Sequence, residues 1–468
     1  MPETFHPHDY QREAIDWILD RPDAGLFASP GTGKTVITFT AIEQLILSGE
    51  CKGALIVGPI RVGALTYPNQ IERWEHLRWL RYHNLRTPEG EAAWNAGHGE
   101  LFFINFEMLG TRKGAKRKGF VERCIKGRKE LPVDIIVIDE SSKLKASDGK
   151  AARTMIPFLH DIPGRYKTPF KRRIILTGTP ASESYLSLWN QIRILDNGHR
   201  LGRSFFQFRQ AWFESDYMGW KWTIKPGAKE AIDAKLADLA LVIRGEDHLD
   251  LPPCNVEDVD VTLPPAVMKK YRELEKEFLV ELKTGEIEAL SAAAKVNKLA
   301  QFTAGLGVYD SEGKAHHVHD AKLNALRKLA KEIGEPLLVM VHYISNRERL
   351  LKEFPEAVAF DEKLVPDWQA GKIPMFIANA QSMAHGLDGL QRGGRHIAWF
   401  DLTYSSELFT QANARLLRIG QERPTVVWRL MAKDSIDWAI AEALHTKDEQ
   451  QRGLLAAVHA LQQLRKQQ

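Results

Sequence analysis

Cysteine is scarce in this chain: Cys51, Cys124 and Cys254 are the only three in 468 residues, odd in number, far apart and without metal-ligand spacing. That excludes a disulfide framework and a thiolate zinc centre, and it points to a reduced, intracellular setting. Long hydrophobic runs are missing as well. No stretch reaches the roughly 18 apolar residues that a bilayer span requires, so no membrane partner is expected. The opening Met1-Pro2-Glu3-Thr4-Phe5-His6 has no basic segment leading into an apolar core, so no secretory leader is expected and the location expected is cytoplasmic. Nor is there a large excess of one charge: 64 Lys and Arg stand against 60 Asp and Glu, a net +4 that by itself identifies no nucleic-acid partner. Repeats of solenoid length and low-complexity tracts are also absent. What remains is the composition of an ordinary globular protein, 44% hydrophobic and 26% charged, too long for one compact core.

The strongest positive signal is Phe27-Ala28-Ser29-Pro30-Gly31-Thr32-Gly33-Lys34-Thr35. It follows a short apolar segment and opens the amphipathic run 36–47, the strand–loop–helix order of a phosphate cradle. Gly31 and Gly33 let backbone N–H groups close around phosphate oxygens, Lys34 can reach the outer phosphates, and Thr35 can offer its hydroxyl to Mg²⁺. Ala28 stands where the usual pattern begins with Gly. About a hundred residues downstream, the apolar Ile135-Ile136-Val137-Ile138 ends in Asp139 and Glu140. In a P-loop enzyme the first such carboxylate holds Mg²⁺ and the second orients the attacking water. Near the other end of the chain, Gln411-Ala412-Asn413-Ala414-Arg415-Leu416-Leu417-Arg418-Ile419-Gly420-Gln421 places two arginines three apart, which predicts one helical face presenting both guanidiniums to developing phosphoryl charge.

Organisation along the chain agrees. Segments 54–57, 101–104, 135–138 and 173–176 read as buried parallel strands, each followed by polar turn chemistry. A second series follows at 336–341, 375–378, 397–400 and 426–430. This is the α/β pattern of two doubly wound parallel-sheet lobes. Prolines near Asp247-His248-Leu249-Asp250-Leu251-Pro252-Pro253 mark a boundary, which gives domains over 1–250 and 251–468. A helical or irregular insertion is expected over about 200–250, aromatic-rich and irregular over 202–227. A helical insertion is expected over about 265–320, opening with a long amphipathic helix over 265–290. Basic residues concentrate over 112–129 and again at Arg165, Lys167, Lys171, Arg172 and Arg173, a density that suits a phosphate backbone. The run His316-His317-Val318-His319-Asp320 has no accompanying cysteine or second His pair, and a metal is not expected there.

Taken in order, YQREAIDWIL from Tyr10, ASPGTGKT, INFE at 104–107, IDESS, LTGTP, HGLDGLQ at 385–391 and QANARLLRIGQ resemble the motifs of superfamily 2 helicases. The last two, with the 244–253 segment and YRELEKEF at 271–278, are similar to the Swi/Snf branch, and the compact form resembles its phage-encoded members. The resemblance covers essentially the whole chain. It implies two tandem RecA-like lobes with a helical insertion between them, ATP and Mg²⁺ as cofactors, and a sequence-nonspecific DNA partner, double-stranded or branched. Carried over by position, it makes Gln11 the adenine reader, with Gly31, Thr32, Gly33, Lys34 and Thr35 around the phosphates. Asp139 becomes the Mg²⁺ carboxylate and Glu140 the catalytic base, and Arg415 and Arg418 become the arginine fingers. Arg61, Asn105, Thr177, Ser382 and His385 fall in segments that follow the DNA backbone or couple it to ATP. Ser141-Ser142 depart from the Gly-His or Ala-His of many relatives, and Glu183 stands where an Asn often follows LTGTP. A strand-separating DNA or RNA helicase, and an ATP-switched DNA-binding scaffold without catalysis, stay open as alternatives.

Overall fold

The apolar segments of the first half are buried on both faces, which is why they read as unbroken hydrophobic runs rather than as alternation. The computed structural model describes residues 2–111, 118–126, 130–144, 150–161, 167–178, 180–181, 185–215, 222–248, 251–284, 289–309, 315–383 and 389–445. The chain divides into two units, Met1–Leu249 and Asp250–Gln468.

In the first unit the strands are β1 (Asp23–Ala28), β2 (Ala54–Gly58), β3 (Tyr82–Asn84), β4 (Leu101–Asn105), β5 (Ile135–Asp139), β6 (Arg172–Thr177), the hairpin pair β7 (Phe213–Ser215) and β8 (Trp222–Ile224), and β9 (Ala240–Ile243). Seven of them form one sheet in the order β3-β4-β2-β5-β6-β1-β9, and every pairing is parallel. Alternate residues feed two cores. Ile135 and Val137 of β5 face one, with Leu26, Phe103, Phe39 and Ile42; Ile136 and Ile138 face the other, with Phe102, Trp94 and Trp189. Helices α1 (Asp9–Asp20) and α2 (Lys34–Leu47) cover the first face. Within the stretch expected to be helical or irregular, a helix Phe205–Trp212 runs into the antiparallel pair β7–β8. Burial of Phe208 and Phe213 anchors it, and the Arg209 guanidinium lies 4.0 Å over the Trp222 ring.

The second unit contains β10 (Cys254–Val261), the hairpin β11 (Leu306–Tyr309) and β12 (Ala315–His317), then β13 (Leu337–Val341), β14 (Ala357–Ala359), β15 (Met375–Asn379), β16 (His396–Trp399) and β17 (Thr425–Ala432). Six of these make a second parallel sheet, β10-β17-β16-β13-β15-β14. The α/β fold of two doubly wound parallel sheets is therefore as the sequence predicts. Of the helix expected over 265–290, the described residues show Pro265–Thr284, and a helix Ala289–Ala304 follows. Both follow β10, so they belong inside the second unit. A buried ion pair ties this region together: Lys322 Nζ lies 2.7 Å from Asp437 Oδ2. The same carboxylate accepts from the Thr303 hydroxyl and the Ala432 N–H.

Candidate nucleotide site and nucleic-acid-facing segments

The site residues of the first unit gather at the C-terminal edge of its sheet, where open α/β sheets bind ligands. β1 delivers the chain into the glycine loop, and both glycines the loop depends on adopt φ +89. At Gly33 the left-handed conformation is compounded by proximity, since a Cβ there would stand 2.7 Å from Gln11 Nε2. Gly33 is also the N-cap of α2, and no side chain caps that helix, which leaves its first-turn N–H groups and dipole directed at the loop. Lys34 Nζ lies within the loop, donating to the Ala28 and Ser29 carbonyls at 2.6 and 3.3 Å. The Thr32 hydroxyl closes the loop on the Ser29 carbonyl at 2.8 Å.

Gln11 is locked rather than loose. Its Oε1 accepts from the His8 N–H at 3.0 Å and its Nε2 donates to the Thr32 carbonyl at 3.1 Å. Tyr10, buried beside it, donates to the same carbonyl and stacks on His8 and His248. A short sequence motif thus braces the phosphate loop from α1, and Tyr10 is a contributor that the motif alone did not single out.

β5 brings Asp139 and Glu140 to the same edge. Burial and the neighbouring Glu140 push the Asp139 carboxyl up to about 6, against the opposing pull of the Tyr67 hydroxyl and Lys34. A carboxylate this reluctant to ionise alone is suited to a cation. The donor set fits Mg²⁺ held together with phosphate oxygens: among the described residues no group of three His, Cys, Asp or Glu could hold a metal unaided. Glu140 has φ +58, a strained conformation for a residue with a side chain. Its Oε1 accepts from Ser142 Oγ at 2.9 Å. Ser141, the departure from the family pattern, donates to Gln191 Oε1 at 2.8 Å, and Gln191 Nε2 donates on to the Pro180 carbonyl at 2.7 Å. The LTGTP turn is also close to the loop, since a Cβ on Gly178 would meet Pro30 Cδ at 3.3 Å.

Arg61 caps the π-helical turn Val62–Thr66 that follows β2. Asn105 and Thr177 end β4 and β6 but are buried, at 3% and 0% exposed, so neither presents its side chain on the surface. Asn105 donates instead to Glu107. In the second unit Ser382 lies on the short helix Ala380–Met383 after β15, its hydroxyl on the Asn379 carbonyl. His385, Thr179 and Glu183 lie outside the described residues.

One expectation is corrected. Arg415 and Arg418 do not share a helical face: the helix Ser406–Asn413 stops before them. The segment continues in tight turns, with Arg415 N–H on the Ala412 carbonyl and Gln421 N–H on the Arg418 carbonyl. Its helix formers are overruled by tertiary anchors. Leu416 is fully buried, and Gln421 Nε2 donates to the Gln391 and Gly394 carbonyls while Gln391 Nε2 donates to that of Ile419. In the second basic cluster three of the described residues are engaged in ion pairs. Lys171 pairs with Asp134, Arg172 with Glu50 and Arg173 with Asp23, at the start of β6, the sheet edge opposite the loop. Most of the first cluster lies outside the described residues; of its described part, Arg123 pairs with Glu91. The histidine run is also accounted for: His317 pairs with Asp320, and His319, its pKa lowered by burial to about 4, hydrogen-bonds the Phe302 carbonyl.

A family model described as SNF2-related domain matches residues 10–304. Protein p41 of Acyrthosiphon pisum secondary endosymbiont phage 1 is 32% identical over 97% of this chain and 99% of its own. The ATP-dependent helicase/translocase YwqA of Bacillus subtilis is 22% identical over 95% of this chain and 48% of its own. Human DNA repair and recombination protein RAD54B is 21% identical over 97% of this chain and 55% of its own. The chain thus spans nearly all of the phage protein and about half the length of the other two.

Proposed function

The chain belongs to the SNF2-related family, and from that premise we propose that it is an ATP-driven motor that translocates along DNA. In this reading lobes over 1–250 and 251–468 bind DNA, double-stranded or branched and without sequence preference, between them. ATP hydrolysis stimulated by that DNA drives the movement. The observation that carries the reading is the junction of the Lys34 loop with Asp139 and Glu140 on one sheet edge, braced by Gln11. The name of YwqA supports an ATP-driven translocase or helicase and that of RAD54B a DNA substrate, and the likeness to a phage protein supports work in the cytoplasm of a bacterial host.

Gln11 reads the adenine, and the amides around Gly31 and Gly33 with the Lys34 ammonium hold the phosphates. Thr35 and Asp139 would hold Mg²⁺, which would offset the charge of the phosphates. Glu140 accepts a proton from the attacking water, and Arg415 and Arg418 stabilise charge on the transferred phosphoryl group. Arg61 and Ser382, with His385, follow the DNA backbone, and contacts to phosphates carry no sequence information.

The test is the ATPase rate of the purified chain with single-stranded, duplex, forked and branched DNA and with RNA. Duplex or branched DNA should raise the rate, and Lys34→Ala, Glu140→Gln and Arg418→Ala should abolish the stimulated rate, the last two while still binding nucleotide. Equal rates with and without nucleic acid would overturn the motor. No single-turnover hydrolysis would leave an ATP-switched scaffold, and displacement of a forked strand rather than a triplex third strand would identify a separating helicase.

A further inference from the structure

The geometry points to Tyr67 as a positioning residue for Asp139, an inference that rests on Asp139 serving as the Mg²⁺ carboxylate. Tyr67 opens the helix Tyr67–Arg73 directly out of the π-helical turn Val62–Thr66. A π-turn carries an extra residue, so it rotates the next turn of chain relative to a regular helix, and such turns recur at functional sites. Here the rotation carries a buried phenol, 2% exposed, onto the end of β5, where its hydroxyl donates to Asp139 Oδ2.

The surroundings leave that side chain one place to go. Its ring meets Phe39, Phe103 and Tyr82 edge-on, with centroids 5.2, 5.9 and 6.3 Å away. The turn behind it is pressed against the sheet, since a Cβ on Gly63 would come within 2.2 Å of the Phe103 ring. The Tyr82 hydroxyl pins the Gly63 carbonyl from the other side. In front, Gly58 at the end of β2 provides the gap. A Cβ there would stand 3.3 Å from Asp139 Cβ and 3.4 Å from the Tyr67 hydroxyl.

A buried tyrosine needs a partner for its O–H, and a backbone carbonyl is enough, as Tyr82 shows. Tyr67 instead gives its proton to the carboxylate on which the metal site depends. That bond fixes the Asp139 rotamer by holding Oδ2, the task of an outer-shell hydrogen bond in a metal site. Because Arg61 stands at the N-cap position of the same turn, one short segment joins the partner of the proposed metal carboxylate to the candidate backbone-binding residue.

The test titrates Mg²⁺ into the full-length chain holding a fluorescent ADP analogue, with Mn²⁺ paramagnetic resonance as a readout independent of turnover. Tyr67→Phe removes only the hydroxyl. It should raise the Mg²⁺ half-saturation on the order of tenfold and weaken Mn²⁺ binding in parallel, while nucleotide affinity in EDTA stays as in the wild type. Gly58→Ala, which intrudes on the same pair, should shift Mg²⁺ in the same direction and decides the matter if Tyr67→Phe fails to fold. Tyr185→Phe loses a hydroxyl that bonds Asp233, away from Asp139, and should leave the half-saturation unchanged. Equal half-saturation in the wild type, Tyr67→Phe and Gly58→Ala, or an equal rise in Tyr185→Phe, would overturn the assignment alone. A wild type whose nucleotide binding ignores Mg²⁺ would overturn the underlying reading of Asp139 as well.

Discussion

Asp139→Asn should make the first unit more stable while disabling it. The carboxyl ionises at 3.8 in its ordinary state and at about 6 in the fold, chiefly because it is buried and secondly because Glu140 is beside it. At about 1.4 kcal/mol per pH unit, that displacement amounts to about 3 kcal/mol of native-state cost once the group is charged. The sign follows from proton binding. Between the two values the folded chain keeps a proton that the unfolded chain has released, so stability falls as pH rises through that window and the loss is complete somewhat above 6. An asparagine never ionises, yet its carbonyl oxygen can still accept from the Tyr67 hydroxyl that now bonds Oδ2.

Hydrogen exchange of the β5 amides in EDTA, read by mass spectrometry, isolates the first unit from the second and converts protection into free energy. At pH 8 the variant should be more stable by about 3 kcal/mol, at pH 5 by roughly half that, and near pH 4 by almost nothing. Adding Mg²⁺ and a non-hydrolysable ATP analogue should reverse the order, because only the wild type then gains the charge partner it lacks, and binding stabilises by mass action. A variant that is no more stable at pH 8, or a wild type whose protection is flat between pH 4 and 7, would refute the argument that this carboxylate is held in a strained state for a cation.

Two further outcomes test other parts of the molecule. Lys322→Met keeps the length of the side chain but strands Asp437 in the core of the second unit, where the pair is 1% and 2% exposed; denaturant unfolding should show a loss of about 3–5 kcal/mol, and a loss below about 1 kcal/mol would mean that the pair contributes little. Gly33→Ala forces a side chain into φ +89 and within 2.7 Å of Gln11 Nε2, a backbone cost of about 1–2 kcal/mol before any clash; ATP affinity should fall about tenfold or more, and unchanged affinity would show that the Gln11–loop contact can give way freely.

The two kinds of residue in this site differ in how far sequence alone reveals them. The glycine loop and the Asp139–Glu140 pair are local: their chemistry depends on neighbours in the chain, and they follow the buried strands β1 and β5, whose hydrophobic runs are unmistakable. The strands that escape reading are those at sheet edges. Tyr82–Asn84 and Ala240–Ile243 are short, and Cys254–Val261 is a largely exposed edge strand carrying Glu257, Asp258 and Asp260, so neither length nor hydrophobicity marks them. The arginine segment fails in the opposite way, since its local signal is a good helix and the buried Leu416 with the paired amides of Gln391 and Gln421 overrides it. Tyr67 carries no local signal whatever. Its link to Asp139 exists because a π-turn rotates it and because Gly58, from a third stretch of chain, has no side chain to intervene. A motif search finds the groups that perform the chemistry, whereas the groups that hold them in place are defined only by the packing. Variants at Tyr67 and Gly58 should therefore perturb the proposed metal site as surely as variants of the groups that carry the motifs' chemistry.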